Sequence, residues 1–225
     1  MGALFSSFCC WALAKNRDFT HLIKEDCRVE RQSIPGFSEE ISEYIDRAKN
    51  DTIREERYSA YSTLLYSLKC LYGVENPKIT REKGGKPRII SHDIFFNISH
   101  SDGLIAVSLS DKLDVGVDLQ SEISPEREER LSARFLSGFS PLPCPLEIEY
   151  LYLKNGRFFT LDLPMAKGDK FTEKWTTFES VLKLTGDGFG AASDIEKIGQ
   201  NVKTDTRVIR LDNTLFSLSN SIKNG

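Results

Sequence analysis

Apolar side chains recur every three or four positions in stretches such as 38–50 and 52–72, which is the spacing of an amphipathic helix. The predicted helices span 38–50, 52–72, 124–137 and 171–184. Their ends carry matching signals, because Ser38 can cap the first helix and Gly73 can stop the second. Proline is typical of the first position of a helix, so the third helix is placed directly after Ser124.

Shorter apolar runs, some of them alternating with polar residues, predict strands. These runs span 94–98, 104–109, 115–120, 150–153, 158–161, 206–211 and 214–218. A turn over 100–103 separates the first two strands, and Asn155-Gly156 is a strong hairpin signal between the fourth and the fifth. The segment 82–87 is rich in glycine and proline and is predicted to be a loop. Helices and strands are mixed along the chain, so the expected fold class is α+β.

The first apolar segment, 4–14, allows three interpretations. Its length suits the core of a signal peptide, but no lysine or arginine precedes it, which argues against secretion. Gly2 and Ser6 match the loose pattern for myristoylation, with Cys9 and Cys10 as sites for palmitoylation. A first β-strand is the preferred prediction for this segment.

The composition is that of a globular protein, since 40% of the 225 residues are hydrophobic and 28% are charged. The formal net charge of −3 argues against a generic basic nucleic-acid binder. No apolar run approaches the roughly 18 residues needed to span a bilayer, so neither nucleic acid nor a membrane is an expected partner. Five cysteines without a Cys-x-x-Cys pair favour reduced thiols and a cytoplasmic location.

Two pairs of segments resemble each other at about half the chain length. The pairs are 57–65 with 174–182 and 107–111 with 216–220. Repeats at this spacing predict an internal duplication, with one half over 1–112 and the other over 113–225. Chance similarity between amphipathic helices is the alternative explanation.

Basic residues are concentrated between Arg47 and Arg88. This segment contains ten basic and five acidic residues, so it carries +5 while the rest of the chain carries −8. A solvated basic surface is the ordinary explanation of such a segment. A site for a polyphosphate ligand is the more specific one.

Acidic residues in the second half suit a metal site. Asp118 and Gln120 share the polar face of the predicted strand 115–120, and a buried carboxylate needs a partner or a metal ion. Glu179 and Lys183 lie one turn apart on the fourth helix. Asp118 and Glu179 together would suit Mg²⁺ on a phosphate, with Lys183 beside it. A simple i,i+4 ion pair is the alternative for Glu179 and Lys183.

Four short motifs occur in a specific order along the chain. They are Gly85-Lys86-Pro87, Phe96-Asn97-Ile98-Ser99-His100-Ser101, Val115-Gly116-Val117-Asp118 and Trp175-x-x-x-Glu179-Ser180-x-x-Lys183. Each motif is weak alone, but their combination and order are specific. Together they resemble the 4′-phosphopantetheinyl transferases, in particular the monomeric type that acts on carrier proteins of nonribosomal peptide and polyketide synthases.

The resemblance implies two pseudo-symmetric α/β halves with coenzyme A in the cleft between them. It also implies that the coenzyme A phosphates contact Lys86, Ser99 and His100. Arg47 and Thr63 join this set by a looser alignment.

The resemblance implies a reaction as well. Asp118 and Glu179 hold Mg²⁺ on the pyrophosphate of coenzyme A, and Lys183 stabilises the pyrophosphate. The serine hydroxyl of an acyl or peptidyl carrier protein attacks the β-phosphate, and 3′,5′-ADP leaves. Glu179 is also the candidate general base.

Three features depart from the family pattern. Gln120 stands where a glutamate is common as a further metal ligand, and Ser62 stands where a basic residue is common. The segment 138–174 is longer than usual, and its hairpin is expected to tune the choice of carrier protein. A catalytically impaired paralogue that binds coenzyme A is therefore one alternative, and an unrelated Mg²⁺-dependent phosphate enzyme is another.

Overall fold

The computed structural model describes residues 18–24, 37–81, 85–135, 144–186 and 202–223. The helices in these ranges are α1 (Glu39–Asp46), α2 (Asp51–Tyr72), α3 (Pro125–Phe135) and α4 (Phe171–Thr185). The four predicted helices are confirmed. The predicted strand at 4–14 lies outside the described residues. None of the described helices has the length and apolar content needed to cross a membrane.

Strands make up most of the remaining described structure. They are β1 (Asp18–Lys24), β2 (Ile79–Arg81), β3 (Pro87–Ile89), β4 (Phe95–Ser101), β5 (Leu104–Ser110), β6 (Val115–Ser121), β7 (Ile148–Lys154), β8 (Arg157–Thr160), β9 (Val202–Leu211) and β10 (Thr214–Lys223). The seven predicted strands are confirmed. Sequence patterns missed β1, because Leu22 and Ile23 are both buried on opposite faces and no alternation marks the strand.

Two details of the predicted connections are wrong. β4 continues through Ser101, so His100 is a strand residue and not a turn residue. The turn itself consists of Asp102 and Gly103, whose φ angles are 45° and 73°. Pro87, predicted to belong to a loop, begins β3, which pairs with β2 in a short hairpin.

Two larger sheets form the centre of the molecule. The first has the strand order β4-β5-β1-β7-β8 and the second has the order β6-β10-β9. Neighbouring strands are antiparallel except for β1 and β7, which are parallel. Asn155 and Gly156 form the predicted turn between β7 and β8, so this hairpin extends the first sheet. Its effect on carrier choice stays a prediction.

The sheets and helices pack in four layers. α2 covers one face of the first sheet, where Leu64 and Leu68 join Ile105 and Val107 in one apolar cluster. The opposite face of this sheet packs against the second sheet in another cluster. α4 covers the far face of the second sheet.

Side chains of β4 join the two sheets at their edges. Asn97, Ser99 and Ser101 alternate along β4 and accept hydrogen bonds from the backbone N–H groups of alternate β6 residues. The donors are Val117, Leu119 and Ser121, and the distances are 3.3, 3.0 and 3.1 Å. This seam of side-chain acceptors takes the place of a backbone ladder between the sheets.

The same order of elements occurs twice. β1, α2, β4 and β5 occur in this order along the chain, with α1, β2 and β3 between them, and their strands lie in the order β4-β5-β1. β6, α4, β9 and β10 follow each other likewise, with their strands in the order β9-β10-β6. β7 and β8 lie between β6 and α4 in the sequence but belong to the first sheet.

Candidate functional site

Gly116 allows α4 to lie very close to β6. A Cβ atom at this position would lie 2.1 Å from the carbonyl oxygen of Ser180 and 2.6 Å from the backbone nitrogen of Leu184. A larger residue would therefore push the helix away from the strand. Asp118 lies two residues further along β6 and so points to the same side. The absence of a side chain at Gly116 therefore brings the Asp118 carboxylate within reach of polar side chains on α4.

The two carboxylate oxygens of Asp118 have different surroundings. Its Oδ1 accepts hydrogen bonds from Lys183 Nζ at 2.7 Å and from Ser99 Oγ at 3.0 Å. Its Oδ2 is buried and has no hydrogen-bond partner among the described residues. A buried polar oxygen without a partner is uncommon in proteins. This oxygen is therefore a candidate ligand for a bound cation.

Glu179 lies one turn before Lys183 on α4. Trp175 Nε1 donates a hydrogen bond to Glu179 Oε2 at 3.0 Å, which fixes the orientation of the carboxyl group. Burial and the nearby charge of Asp118 raise the pKa of Glu179 to about 7, against the opposing effects of Lys183 and Trp175. A divalent cation between the two carboxyl groups would offset this repulsion.

The donor set fits Mg²⁺. This ion prefers oxygen ligands and usually keeps several water molecules when one or two carboxylates bind it. Asp118 and Glu179 supply such oxygens, and Gln120 lies half-buried on the same side of β6. Across the described parts of the chain, no three His, Cys, Asp or Glu side chains converge on one point. The described side chains thus supply too few ligands for a closed structural metal site. Coordination positions on the ion would remain for a ligand phosphate.

A cavity of about 360 Å³ opens beside these carboxylates. Its walls come from α1, α2, β2, the segment 85–87, β4 and α4. Glu179 and Lys183 line one end, and Tyr44, Arg57 and Arg81 also line it. The cavity therefore joins the candidate metal site to a cationic region.

Two arginines stack on one tyrosine ring in the cationic region. The guanidinium carbon of Arg81 lies 3.6 Å from the centroid of the Tyr44 ring, and that of Arg57 lies 4.1 Å from it. Arg57 donates to the Tyr44 carbonyl oxygen at 2.5 Å, and Arg81 donates to Gly85 O and Tyr61 Oη at 2.7 and 3.0 Å. These acceptors are neutral, so the hydrogen bonds fix both guanidinium groups without cancelling their charge. We name Tyr44, Arg57 and Arg81 the arginine cradle.

Only some of the residues predicted to contact phosphate line the cavity. His100 lines the cavity, with its Nδ1 4.0 Å from Glu56 Oε2. Arg47 is exposed and pairs with Glu43, and the buried hydroxyl of Thr63 donates to Ser59 O within α2. Neither Arg47 nor Thr63 lines the cavity.

The two remaining predicted phosphate contacts are buried. Ser99 Oγ accepts from the Leu119 backbone and donates to Asp118, so this hydroxyl belongs to the seam and to the carboxylate. Lys86 lines the cavity, but its Nζ donates to protein acceptors that include Asp114. Ser62, the position at which a basic residue was expected from the resemblance, is buried in α2.

Sequence patterns missed the arginine cradle. Its residues come from α1, α2 and β2, which are separate in the sequence and meet only in the folded chain. The excess of positive charge between Arg47 and Arg88 was the signal for a cationic site. It did not distinguish the arginines of the cavity from exposed ones such as Arg47.

Comparison with known proteins agrees with the resemblance that the motifs indicate. Over 148 residues, the chain is 31% identical to the 4′-phosphopantetheinyl transferase HetI of Nostoc sp., covering 62% of this chain and 56% of that protein. Over 177 residues, it is 25% identical to a Synechocystis sp. protein provisionally named as a 4′-phosphopantetheinyl transferase, covering 72% of this chain and 63% of that protein. No protein-family model matches the chain. The chain matches less than two thirds of the length of either relative.

Proposed function

We propose that this chain transfers the 4′-phosphopantetheine arm of coenzyme A to a serine of an apo acyl or peptidyl carrier protein, releasing 3′,5′-ADP. The observation that carries the proposal is the meeting of Asp118, Glu179 and Lys183 beside a cavity with a cationic region. The two relatives named as 4′-phosphopantetheinyl transferases support it. A monomer in the cytoplasm is part of the proposal.

Asp118 and Glu179 would hold Mg²⁺, with Gln120 as a weaker further ligand. The bound ion would neutralise charge on the pyrophosphate of coenzyme A. Lys183, whose ammonium lies 2.7 Å from Asp118, would bind a pyrophosphate oxygen and stabilise the leaving group.

The reaction joins the carrier serine oxygen to the β-phosphorus and breaks the bond from this phosphorus to the bridging oxygen. The bridging oxygen leaves with 3′,5′-ADP. Glu179 would accept the serine proton, and Trp175 holds its carboxyl group in one orientation. Most of the rate enhancement would come from positioning and charge neutralisation.

The arginine cradle is the candidate site for the 3′-phosphate of coenzyme A. Arg57 and Arg81 face the cavity that also reaches Glu179 and Lys183. Guanidinium groups bind phosphate with paired, charge-assisted hydrogen bonds. His100 would add a further donor to the same ligand.

We also propose that the chain consists of two pseudo-symmetric halves, 1–112 and 113–225, with the active site in the cleft between them. The repeated order of strands around α2 and α4 supports this division. The segment similarities between 57–65 and 174–182 support it as well, because they fall on these two helices.

The direct test combines the protein, coenzyme A, Mg²⁺ and an apo carrier protein, followed by mass measurement of the carrier. We expect the carrier to gain the phosphopantetheine arm. Glu179→Ala should abolish the gain while leaving the thermal unfolding midpoint near that of the wild type. Coenzyme A binding without transfer to any of several carriers would instead support the impaired paralogue.

A further inference from the structure

Lys86 is buried, and its ammonium group donates all of its hydrogen bonds to acceptors within the protein. The Nζ atom donates to Asp114 Oδ1 at 2.7 Å, to Leu184 O at 2.7 Å and to Val115 O at 3.4 Å. An ammonium group has three donor hydrogens, so these acceptors use its whole capacity. A phosphate oxygen could bind this group only by displacing one of them.

The acceptors belong to the two elements that carry the candidate metal site. Leu184 lies in the last turn of α4, where the backbone carbonyl groups carry partial negative charge and attract a cation. Val115 is the first residue of β6, and Asp114 directly precedes it. Lys86 itself belongs to the cavity wall at 85–87. One side chain therefore links this wall to both α4 and β6.

The end of α4 packs closely against the Lys86 side chain. Gly186 follows the helix in the left-handed conformation, with φ at 79°, and its N–H bonds to Leu182 O. A Cβ atom on Gly186 would lie 3.3 Å from the Lys86 Cβ and 3.4 Å from its Cδ. The aliphatic part of Lys86 thus packs directly against the helix end, and its ammonium continues to Leu184 O.

We propose that Lys86 is a positioning residue that holds the cavity wall against α4 and β6, and not a ligand of the coenzyme A phosphates. The proposal rests on the proposed function of the same site. Loss of the link would let the wall and the arginine cradle shift relative to Glu179 and Lys183. Coenzyme A would then bind with its pyrophosphate displaced from the reacting groups.

Three substitutions separate the two roles of Lys86. Lys86→Met keeps an unbranched apolar chain and removes the donors. Arg88→Met is the matched control, because Arg88 also donates to Asp114, at 3.0 Å, but belongs to neither the cavity nor the link to α4. Arg81→Met removes a cradle cation and shows how the loss of a phosphate contact affects binding.

Hydrogen exchange of the ligand-free proteins tests the link directly. We expect Lys86→Met to speed exchange at the amides of 184–186, where Lys86 donates to Leu184 O, whereas Arg88→Met leaves them unchanged. A positioning role also predicts a kcat that falls by roughly 10- to 100-fold, because a displacement of about 1 Å has effects of this size. The Kd for coenzyme A should change by less than about threefold.

The proposal is overturned if Lys86→Met leaves exchange unchanged and raises the Kd for coenzyme A as much as Arg81→Met does. The exchange measurement needs neither substrate nor activity. If the wild-type chain transfers nothing, the proposed function fails, and the exchange result still decides whether Lys86 holds α4. Lys86→Gln, which keeps a donor, replaces the methionine variant if that protein does not fold.

Discussion

Gln120 is the residue whose chemistry fits its place in the site least well. It shares the α4 side of β6 with Asp118, where an anionic oxygen would suit Mg²⁺ better than a neutral amide. We expect Gln120→Glu to lower the Mg²⁺ concentration for half-maximal transfer by about tenfold, which corresponds to about 1.4 kcal/mol. Titration of Mg²⁺ in the transfer assay measures this. An unchanged titration curve would show that residue 120 does not reach the ion.

Arg81 is expected to select ligands that carry a 3′-phosphate. Hydrogen bonds to charged groups contribute about 1.5–3 kcal/mol, so Arg81→Met should weaken coenzyme A binding by roughly 10- to 100-fold. Binding of 3′-dephospho-coenzyme A should change little. Calorimetric titration with both ligands measures the difference, with Arg88→Met as the control. Equal losses for the two ligands would contradict a 3′-phosphate site in the cradle.

The candidate site was predictable from sequence where its chemistry lies within short motifs. Asp118, Glu179 and Lys183 were predicted because each stands in a motif on one strand or one helix. Tyr44 was not predicted to join them, because its position depends on how α1 packs. Sequence alone also gave no sign that Lys86 reaches Leu184, since 98 positions separate the two residues.

The contact between β6 and α4 gives a prediction at the scale of secondary-structure elements. Gly116→Ala would place a methyl group at 2.1 Å from Ser180 O, so α4 must move away from Asp118. We expect a lower unfolding midpoint together with a kcat reduced by roughly 10-fold or more, because the metal ligands separate.

The matched control for this variant is Val117→Ala, on the opposite face of the same strand. Val117 belongs to the apolar cluster between the sheets, so its truncation should cost stability by about 1 kcal/mol or more. It leaves α4 in place, and kcat at a temperature where the protein is folded should be retained. A Gly116→Ala enzyme with normal kcat would rule out the close approach as a requirement for the site.

Some secondary-structure elements were predicted from the sequence more completely than others. Helices were predicted well because they carry apolar residues at helical spacing or marked ends, such as Ser38 and Gly73. β1 was missed because burial on both faces removes the alternating pattern. β4 was predicted too short, since His100 and Ser101 are polar and resemble a turn although both pair with β5.

At the scale of the whole molecule, the two proposed halves, 1–112 and 113–225, are expected to depend on each other for folding. β7, from the second half, pairs with β1 of the first, and the cluster between the sheets contains Leu104 and Leu218 from different halves. We expect 1–112 and 113–225, expressed separately, to show no cooperative unfolding. Mixing them should restore a cooperative transition in circular dichroism. A half that unfolds cooperatively alone would contradict this interdependence.

The seam also occupies backbone hydrogen-bond donors at the edge of a sheet. β4 and β6 are terminal strands of their sheets, and such strands readily recruit a strand from a neighbouring molecule. Here the donors of Val117, Leu119 and Ser121 are already occupied by side chains of β4. These donors of β6 are therefore unavailable to a strand from another molecule, so the polar residues beside the Asp118 carboxylate also make this edge less able to recruit one.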